Sequence, residues 1–233
     1  MAIGTPVSCG TGSATTGSST PQTCVVTLTT AISVGDEIVV ACGLSGNKTA
    51  SAITDTGSNS YASVVSANSG PGGSDSKASI HRSKCTTALG IGDTVTITYS
   101  GIGGGSIAAE VIKVSGVSDA ADATGTASGN SGDPTGSITV AGESTVAFSS
   151  TIVRLGSAPI YDESAGWTSL AGVAYEGAGT ISFHTAYQVF ASSGAKTYDP
   201  EVSGADTAEW SMGLASFAES ASGMDSLLIL GVT

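Results

Sequence analysis

The sequence predicts an all-β protein, with an antiparallel β-sandwich or jelly-roll-like architecture built from two sequence-related halves, on three observations. The 233 residues include 33 glycines, and short runs of Val, Ile and Thr alternate with Gly, Ser, Asn and Asp, which is typical of strands joined by tight turns. No stretch shows the 3.6-residue apolar period of an amphipathic helix. A series of strand-like segments in the first half is followed by a similar series in the second.

The segment DTVTITYSG, residues 93–101, shows most clearly the alternation of a half-buried strand. Val95, Ile97 and Tyr99 are expected to face a core, because side chains two apart lie on the same side of a strand. The residues expected to face water are Thr94, Thr96 and Thr98.

Five such segments recur in the same order in the two halves. In the first half they are ISVGDEIVVACGL (32–44), DTGSNSYASVVSA (55–67), KASIHRSKCTTA (77–88), DTVTITYSG (93–101) and GSIAAEVIKVSGV (105–117). In the second half they are ITVAGESTVAFSS (138–150), DESAGWTSLAGVAYE (162–176), TISFHTAYQVFAS (180–192), KTYDPEVSG (196–204) and TAEWSMGLASFAE (207–219).

These segments divide the chain into five parts. The parts are an N-terminal arm with a Cys9/Cys24 loop (1–30), a first sandwich half (31–117), a Gly/Ser/Asp-rich linker (118–136), a second sandwich half (137–220) and a C-terminal docking tail (221–233). Two arrangements stay open: two small sandwiches side by side, or two halves intercalated in one larger sandwich. We favour the second, because a unit of about 85 residues with few large apolar side chains would be marginally stable alone.

The charge balance excludes some classes of partner. Seven Lys and Arg face nineteen Asp and Glu, a net charge of -12, and the basic residues are scattered. Nucleic acid and anionic membrane surfaces require clustered Lys and Arg, so neither is an expected partner. The first ten residues lack the pattern of a secretory signal, and the apolar run near the end is too short to span a bilayer.

The four cysteines show no CxxC spacing and no accompanying pair of histidines, so a zinc site is not expected. Cys9 and Cys24 bracket a Gly/Ser/Thr-rich loop that a disulfide could close. A bridge and two free thiols both stay open, because the redox compartment is not encoded in the sequence. Cys42 and Cys85 lie inside strand-like runs and are predicted to be buried free thiols.

No motif for catalysis is present: the chain lacks a GxSxG elbow, an HExxH helix and a phosphate-binding loop followed by a helix. His81 and His184 occupy equivalent segments, SIHRS and SFHTA, without a recurring Ser or Asp partner. We predict structural positions for both, at a sheet edge or between the halves, because a general base needs an oriented partner and a nucleophile. The sequence therefore predicts no enzyme, no catalytic residues and no cofactor.

Two pairs of acidic residues are candidate calcium ligands. Asp119 with Asp122, and Asp162 with Glu163, could contribute oxygens, but calcium needs six to eight and no DxDxDG loop exists. Solvated loop acids are the favoured interpretation, and a structural calcium stays open.

Two aromatic residues follow similar acidic turns, Tyr61 in DTGSNSYASV and Trp167 in DESAGWTSL. Because they occupy matching places, and aromatic content is only 5%, both are predicted to fill the cores of their halves. The other interpretation is an exposed platform for a ligand such as a sugar. Its candidates are Tyr61, Trp167, Tyr175 and Trp210.

The chain contains, in order, GDEIVVACG, a Gly/Asn turn before an aromatic residue, GDTVTITYSG before an Ala-rich strand, and then GWTSL and AYQVF. The order of these strand-like segments resembles that of β-sandwich virion structural proteins of tailed bacteriophages and prophages. The resemblance covers roughly residues 25–220. It implies a non-enzymatic capsid decoration (cement) protein on the outer surface of a phage head. The alternative is a carbohydrate- or receptor-binding module of a tail or fibre.

The resemblance also implies a partner and a location. The partner would be the major capsid protein or another virion shell protein, the chain would form a homo-oligomer, and it would be located in the virion. The first thirty residues and the segment ASGMDSLLILGVT lie outside the pattern, and both are expected to supply docking strands for an exposed sheet edge.

Overall fold

The computed structural model describes residues 2–16, 22–46, 49–69, 76–100, 105–130, 133–154, 161–171, 173–175, 181–203 and 208–221. Within these ranges every regular element is a β-strand, and the strand pairing is antiparallel, so the predicted all-β antiparallel fold is confirmed. A membrane-spanning helix is not found among these residues. The predicted docking tail, 221–233, lies almost wholly outside them.

The first half forms two packed sheets. Sheet I has the order β2-β7-β4, and sheet II has the order β1-β8-β3-β6-β5. The strands are β1 (Val7–Thr16), β2 (Gln22–Thr27), β3 (Glu37–Ser45), β4 (Thr49–Asp55), β5 (Ala62–Asn68), β6 (Ser76–Lys84), β7 (Thr94–Ser100) and β8 (Gly105–Val114). Val95, Ile97 and Tyr99 are buried in the first core between these sheets, as their alternation predicts.

The second half forms sheet III, with the order β9-β18-β11-β15-β13 and β14 also paired to β15. Two short pairs, β10-β16 and β12-β17, cover its outer side and are called layer IV. The strands are β9 (Ala123–Gly129), β10 (Gly136–Val140), β11 (Thr145–Arg154), β12 (Tyr161–Asp162), β13 (Thr168–Ser169), β14 (Val173–Tyr175), β15 (Ile181–Phe190), β16 (Gly194–Tyr198), β17 (Glu201–Val202) and β18 (Glu209–Ala218).

The two halves follow the same strand order. In the larger sheet of each half, the first strand lies at an edge, next to the last strand, which in turn pairs with a central strand. Thus β1-β8-β3-β6 in sheet II corresponds to β9-β18-β11-β15 in sheet III. The equivalence of β6 and β15 places His81 and His184 at comparable positions. A sequence relationship between the halves remains a prediction.

Sheets II and III pack face to face, so the molecule is a stack of four layers with three apolar cores. The central core joins the halves through side chains such as Val39 and Ile80 from sheet II and Phe148 and Phe217 from sheet III. Among the described residues, each half has one core of its own. The shared core supplies the additional burial that a lone unit of this size lacks.

The intercalated arrangement favoured from the sequence is wrong. In the described part of the chain, each sheet contains strands from one half only. The backbones of the halves meet at an isolated bridge between Val117 and Glu219 and at neighbouring bonds, such as that from the Ser118 amide to the Ala218 carbonyl at 2.9 Å. The halves therefore stack as two sandwiches, joined chiefly by side-chain packing.

Two predicted boundaries also need correction. Residues 1–30, predicted to be an arm outside the sandwich, contain β1 and β2, which are edge strands of sheets II and I. Residues 118–136, predicted to be a linker, contain β9, an edge strand of sheet III that pairs with β18 from Ala123 to Gly129. Both segments are structural parts of the sandwiches.

Close approach between the halves depends on a glycine. A Cβ atom at Gly43 in β3 would lie 2.4 Å from Cδ2 of Phe183 in β15, which is far too close. Phe183 is 1% exposed and packs with Ile152 and Ala78 in the central core. Gly43 therefore makes room for the largest side chain that crosses from sheet III at this point.

Candidate functional site

The tryptophans proposed as ligand platforms are buried. Trp167 is 6% exposed, its indole N–H donates to the Thr197 carbonyl at 3.1 Å, and its ring centroid lies 4.6 Å from that of Tyr198. Trp210 is 5% exposed and belongs to the same second core. The platform hypothesis is therefore wrong for both, whereas the prediction that Trp167 fills a core agrees with the structure.

Tyr61 and Tyr175 give different outcomes. Tyr61 is half-buried against the first core, and its hydroxyl donates to Oδ2 of Asp55 at 2.7 Å. Burial, together with this carboxylate, raises the pKa of Tyr61 above its ordinary range. The backbone of Tyr175 lies in β14, paired with Ile181, but its side chain lies outside the described residues.

All four cysteines are buried free thiols, so the disulfide considered for Cys9 and Cys24 is not formed. Both side chains lie in the first core, where burial raises their pKa values to about 11. Burial likewise raises the pKa of Cys42 to about 12. These thiols are protonated at neutral pH and therefore act as small apolar side chains.

A polar cluster around Glu163 closes one end of the second core. The Glu163 carboxylate accepts hydrogen bonds from the Tyr198 hydroxyl at 2.9 Å and the Ser169 hydroxyl at 2.5 Å, and it contacts Nε2 of His184. Burial alone would raise the pKa of Glu163, but these bonds outweigh it and hold the pKa below its ordinary value. The Tyr161 ring stacks on His184 with centroids 4.2 Å apart and planes 12° apart.

His81 has a different environment at the equivalent position of sheet II. Its Nε2 lies 3.2 Å from Oγ of Ser79, and burial lowers its pKa to about 4, so the imidazole is neutral at pH 7. It lines an open cleft of about 130 Å³ between the edge strands β4 and β5. This cavity is named the His81 cleft, and its walls include Ala50, Ser51, Ile53, Tyr61, Ser63 and His81.

Both histidines point into their own sandwiches. This differs from the predicted positions at a sheet edge or between the halves, since β6 and β15 each lie one strand in from an edge and the histidines face the inner side. Neither shows a nucleophile–base–acid arrangement in the described residues. Catalytic chemistry is not supported by either position.

Three of the four acidic residues considered for calcium have other contacts, and the fourth, Asp162, is exposed in β12. Asp119 pairs with Lys84 at 3.2 Å, and Asp122 accepts the Ala141 amide at 3.0 Å. Glu163 belongs to the cluster described above. Among the described residues, no group of three or more His, Cys, Asp or Glu side chains could hold a metal ion.

Two buried carboxylates were not anticipated from the sequence. Glu37 is fully buried and forms a two-point ion pair with Arg82 at 2.5 and 2.9 Å. Glu110 is also fully buried, and it accepts the Ala171 amide at 3.0 Å and the Thr185 hydroxyl, both from the second half. A lone acidic residue inside an apolar run, as in AAEVIKV, is the signal that could have revealed such positions.

The outer side of sheet I carries the most distinctive exposed surface. Thr96 on β7 lies between Val25 on β2 and Thr54 on β4, and similar rows lie on either side of it. This surface is named the threonine face. Its members are Thr23, Val25, Thr27, Ala52, Thr54, Thr56, Thr94, Thr96 and Thr98, all exposed or half-buried.

An apolar tip adjoins the threonine face. The sequence TTA-x-x-x-GD occurs twice, at 29–36 and 86–93, and each copy forms a turn that exposes a large apolar residue: Val34 is 64% exposed and Ile91 is 74% exposed. Ile32 and Leu89 pair across the two copies. This short repeat is visible in the sequence, and it could have identified the exposed tip.

No family model, no curated protein and no solved structure matches the chain in the three comparisons with known proteins.

Proposed function

We propose that the protein is a non-enzymatic virion structural protein, a capsid decoration protein that attaches to the outer surface of a phage head. The observation that carries the proposal is the threonine face. It presents nine uncharged side chains on a protein whose net charge is -12. An uncharged surface avoids like-charge repulsion, whereas the acidic remainder favours solubility and discourages unwanted association.

The size of the face supports attachment in many copies. Strands lie about 4.8 Å apart and alternate residues about 6.8 Å apart, so three strands by three rows cover roughly 290 Å². A stable pairwise interface buries about 800 Å² on each partner. Such a contact is weak by itself, but a homo-oligomer engaging a repeating shell gains affinity through simultaneous contacts. This arrangement suits a shell lattice better than a single soluble receptor.

The alternative, a carbohydrate- or receptor-binding tail module, receives less support. Sugar platforms require exposed aromatic faces, and both tryptophans are buried in the second core. Tyr61 lies at the wall of a small cleft and is half-buried.

The proposal is tested by binding to virions of the phage that encodes the chain. Tagged protein is mixed with virions stripped of it, and the fraction that sediments with particles is measured. We expect Thr96→Lys to reduce this fraction at least tenfold, because it places a long charged side chain at the centre of the face. Thr139→Lys is the matched control, since Thr139 is an exposed strand threonine on β10 at the opposite end of the stack.

Two results would contradict the proposal. If the unmodified chain sediments with particles no more than in their absence, the decoration function is wrong. If both lysine variants bind like the unmodified chain, the threonine face is not the attachment surface.

A further inference from the structure

The imidazole of His81, which is 7% exposed, is one of the groups that line the His81 cleft. Ile53 and Ala50 supply an apolar wall, Ser51 and Ser63 supply hydroxyls, and His81 forms part of the floor. Ser63 is the cross-strand neighbour of His81 in the pairing of β5 and β6. The contact between Nε2 of His81 and Ser79 fixes the orientation of the ring.

The second half shows what occupies the corresponding space. There the phenol ring of Tyr161, from β12, covers the imidazole of His184 in a nearly parallel stack. In chain order β4 follows β3 as β12 follows β11, and Ile53 of β4 lines the cleft with His81 whereas Tyr161 of β12 stacks on His184. The shorter side chain of Ile53 leaves open in the first half a space that a phenol ring fills in the second.

We propose that the His81 cleft binds a small free phenol, with its ring stacked on the imidazole of His81 and its hydroxyl directed to the serine side of the cleft. The volume fits a single ring: a cavity of about 150 Å³ can bind benzene, and this cleft measures about 130 Å³. The neutral state of the imidazole favours stacking with an uncharged ring. The cleft lies between sheets I and II, and it shares one lining residue, Ala52, with the threonine face.

The test uses the fact that the chain has two histidines. The ring signals of His81 and His184 are followed by NMR during titration with p-cresol, with the full chain in solution. We expect a saturable shift of the His81 signals with a dissociation constant of about 1 mM, a value typical of a ligand of this size. The His184 signals should stay unchanged, because Tyr161 already covers that ring.

Two variants and one compound serve as controls. Ser63→Phe should fill the cleft and abolish the shift, whereas Ala62→Phe, whose side chain projects from the opposite face of β5, should leave it unchanged. Cyclohexanol, which has a hydroxyl but no aromatic ring, should bind at least tenfold more weakly. These measurements do not depend on virions, so their outcome is separate from that of the proposed function.

Three outcomes would overturn the proposal. They are the absence of a saturable His81 shift, equal shifts of both histidines, and equal affinity for p-cresol and cyclohexanol. Because all three are measured on the unmodified chain, poor folding of Ser63→Phe would not prevent a decision.

Discussion

The environments of His81 and His184 differ although the two histidines lie on equivalent strands. His184 is covered by Tyr161 and contacts Glu163, whereas His81 lines an open cleft and contacts a serine hydroxyl. Tyr161 on β12 covers the ring of His184, whereas Ile53 on β4 lines the cleft with His81. The strand order fixes where a pocket can form, and individual side chains then decide whether it stays open.

The outer layers differ in a related way. Sheet I is a continuous three-stranded sheet with an exposed threonine face, while layer IV consists of two separate pairs that close over Trp167 and Tyr198. The first half thus exposes a regular surface, and the second half uses its large aromatic side chains internally. Substitutions in the two halves should therefore change stability by different amounts.

Truncation of the aromatic residue after each acidic turn should give the largest difference in stability loss between the two halves. We expect Trp167→Ala to lower the free energy of unfolding by about 4 kcal/mol, because it removes a buried ring from the second core. Tyr61→Ala should cost no more than about 2 kcal/mol, since Tyr61 is only half-buried and the space beside it is already open. Urea unfolding measures both; equal losses would contradict the contrast between a filled core and an open cleft.

Loss of the arginine should lower the free energy of unfolding by different amounts in two arginine–glutamate pairs. Arg82→Met should cost about 3 kcal/mol, because it leaves the buried Glu37 carboxylate without its partner. Arg154→Met should cost less than about 1 kcal/mol, because the pair with Glu209 is partly exposed and screened by solvent. Thermal and urea unfolding at neutral pH provide the comparison. A loss for Arg154→Met as large as that for Arg82→Met would refute this ranking.

The histidine in the cleft should make stability depend on pH between about 6.5 and 4. Burial lowers the pKa of folded His81 to about 4 from an ordinary value of 6.5, so the unfolded chain binds the proton first as the pH falls. His81 should therefore reduce the free energy of unfolding by about 2 kcal/mol at pH 5 relative to pH 7. His81→Gln should remove this component; an unchanged pH profile in the variant would exclude His81 as its source.

Glu163, in the second half, should make the free energy of unfolding depend on pH in a lower range than His81 does. The pKa of folded Glu163 lies below its ordinary value of 4.5, so its contribution is present above that pH and is lost as the pH falls through the folded pKa. Glu163→Gln should cost about 1 kcal/mol at pH 7, because charge-assisted hydrogen bonds to Tyr198 and Ser169 are weakened. The difference from the unmodified chain should vanish at strongly acid pH. A difference that persists there would assign the effect to packing.

The sequence was most informative where side chains alternate. In β7 the period of two correctly separated Val95, Ile97 and Tyr99 from the outward threonines. The position of Trp167 in a core was also predictable, because an all-β chain with few aromatic residues needs them for burial. The His81 cleft was not predictable from the sequence, because it depends on which side chains from β4 and β5 meet across two sheets.

The missed strands share a physical cause. Residues of β1 and β9 are rich in Gly, Ser and Thr, which favoured their interpretation as loops. In the structure, a Cβ atom at Gly12 would lie 2.6 Å from the Val25 carbonyl oxygen, and one at Gly125 would lie 2.3 Å from that of Ser137. Glycine at these positions permits close approach between an edge strand and the neighbouring layer, a requirement that a single sequence does not distinguish from a turn.

The face-to-face stack has a consequence for synthesis on the ribosome. Strands of the first half are complete by Val114, whereas β18, which carries Phe217 of the central core, ends at Ala218. At a synthesis rate of about 5–20 residues per second, the apolar face containing Val39 and Ile80 would stay exposed for about 5–20 s before sheet III is complete. During that interval the newly made first half exposes a surface suited to chaperone binding or to association with another nascent copy.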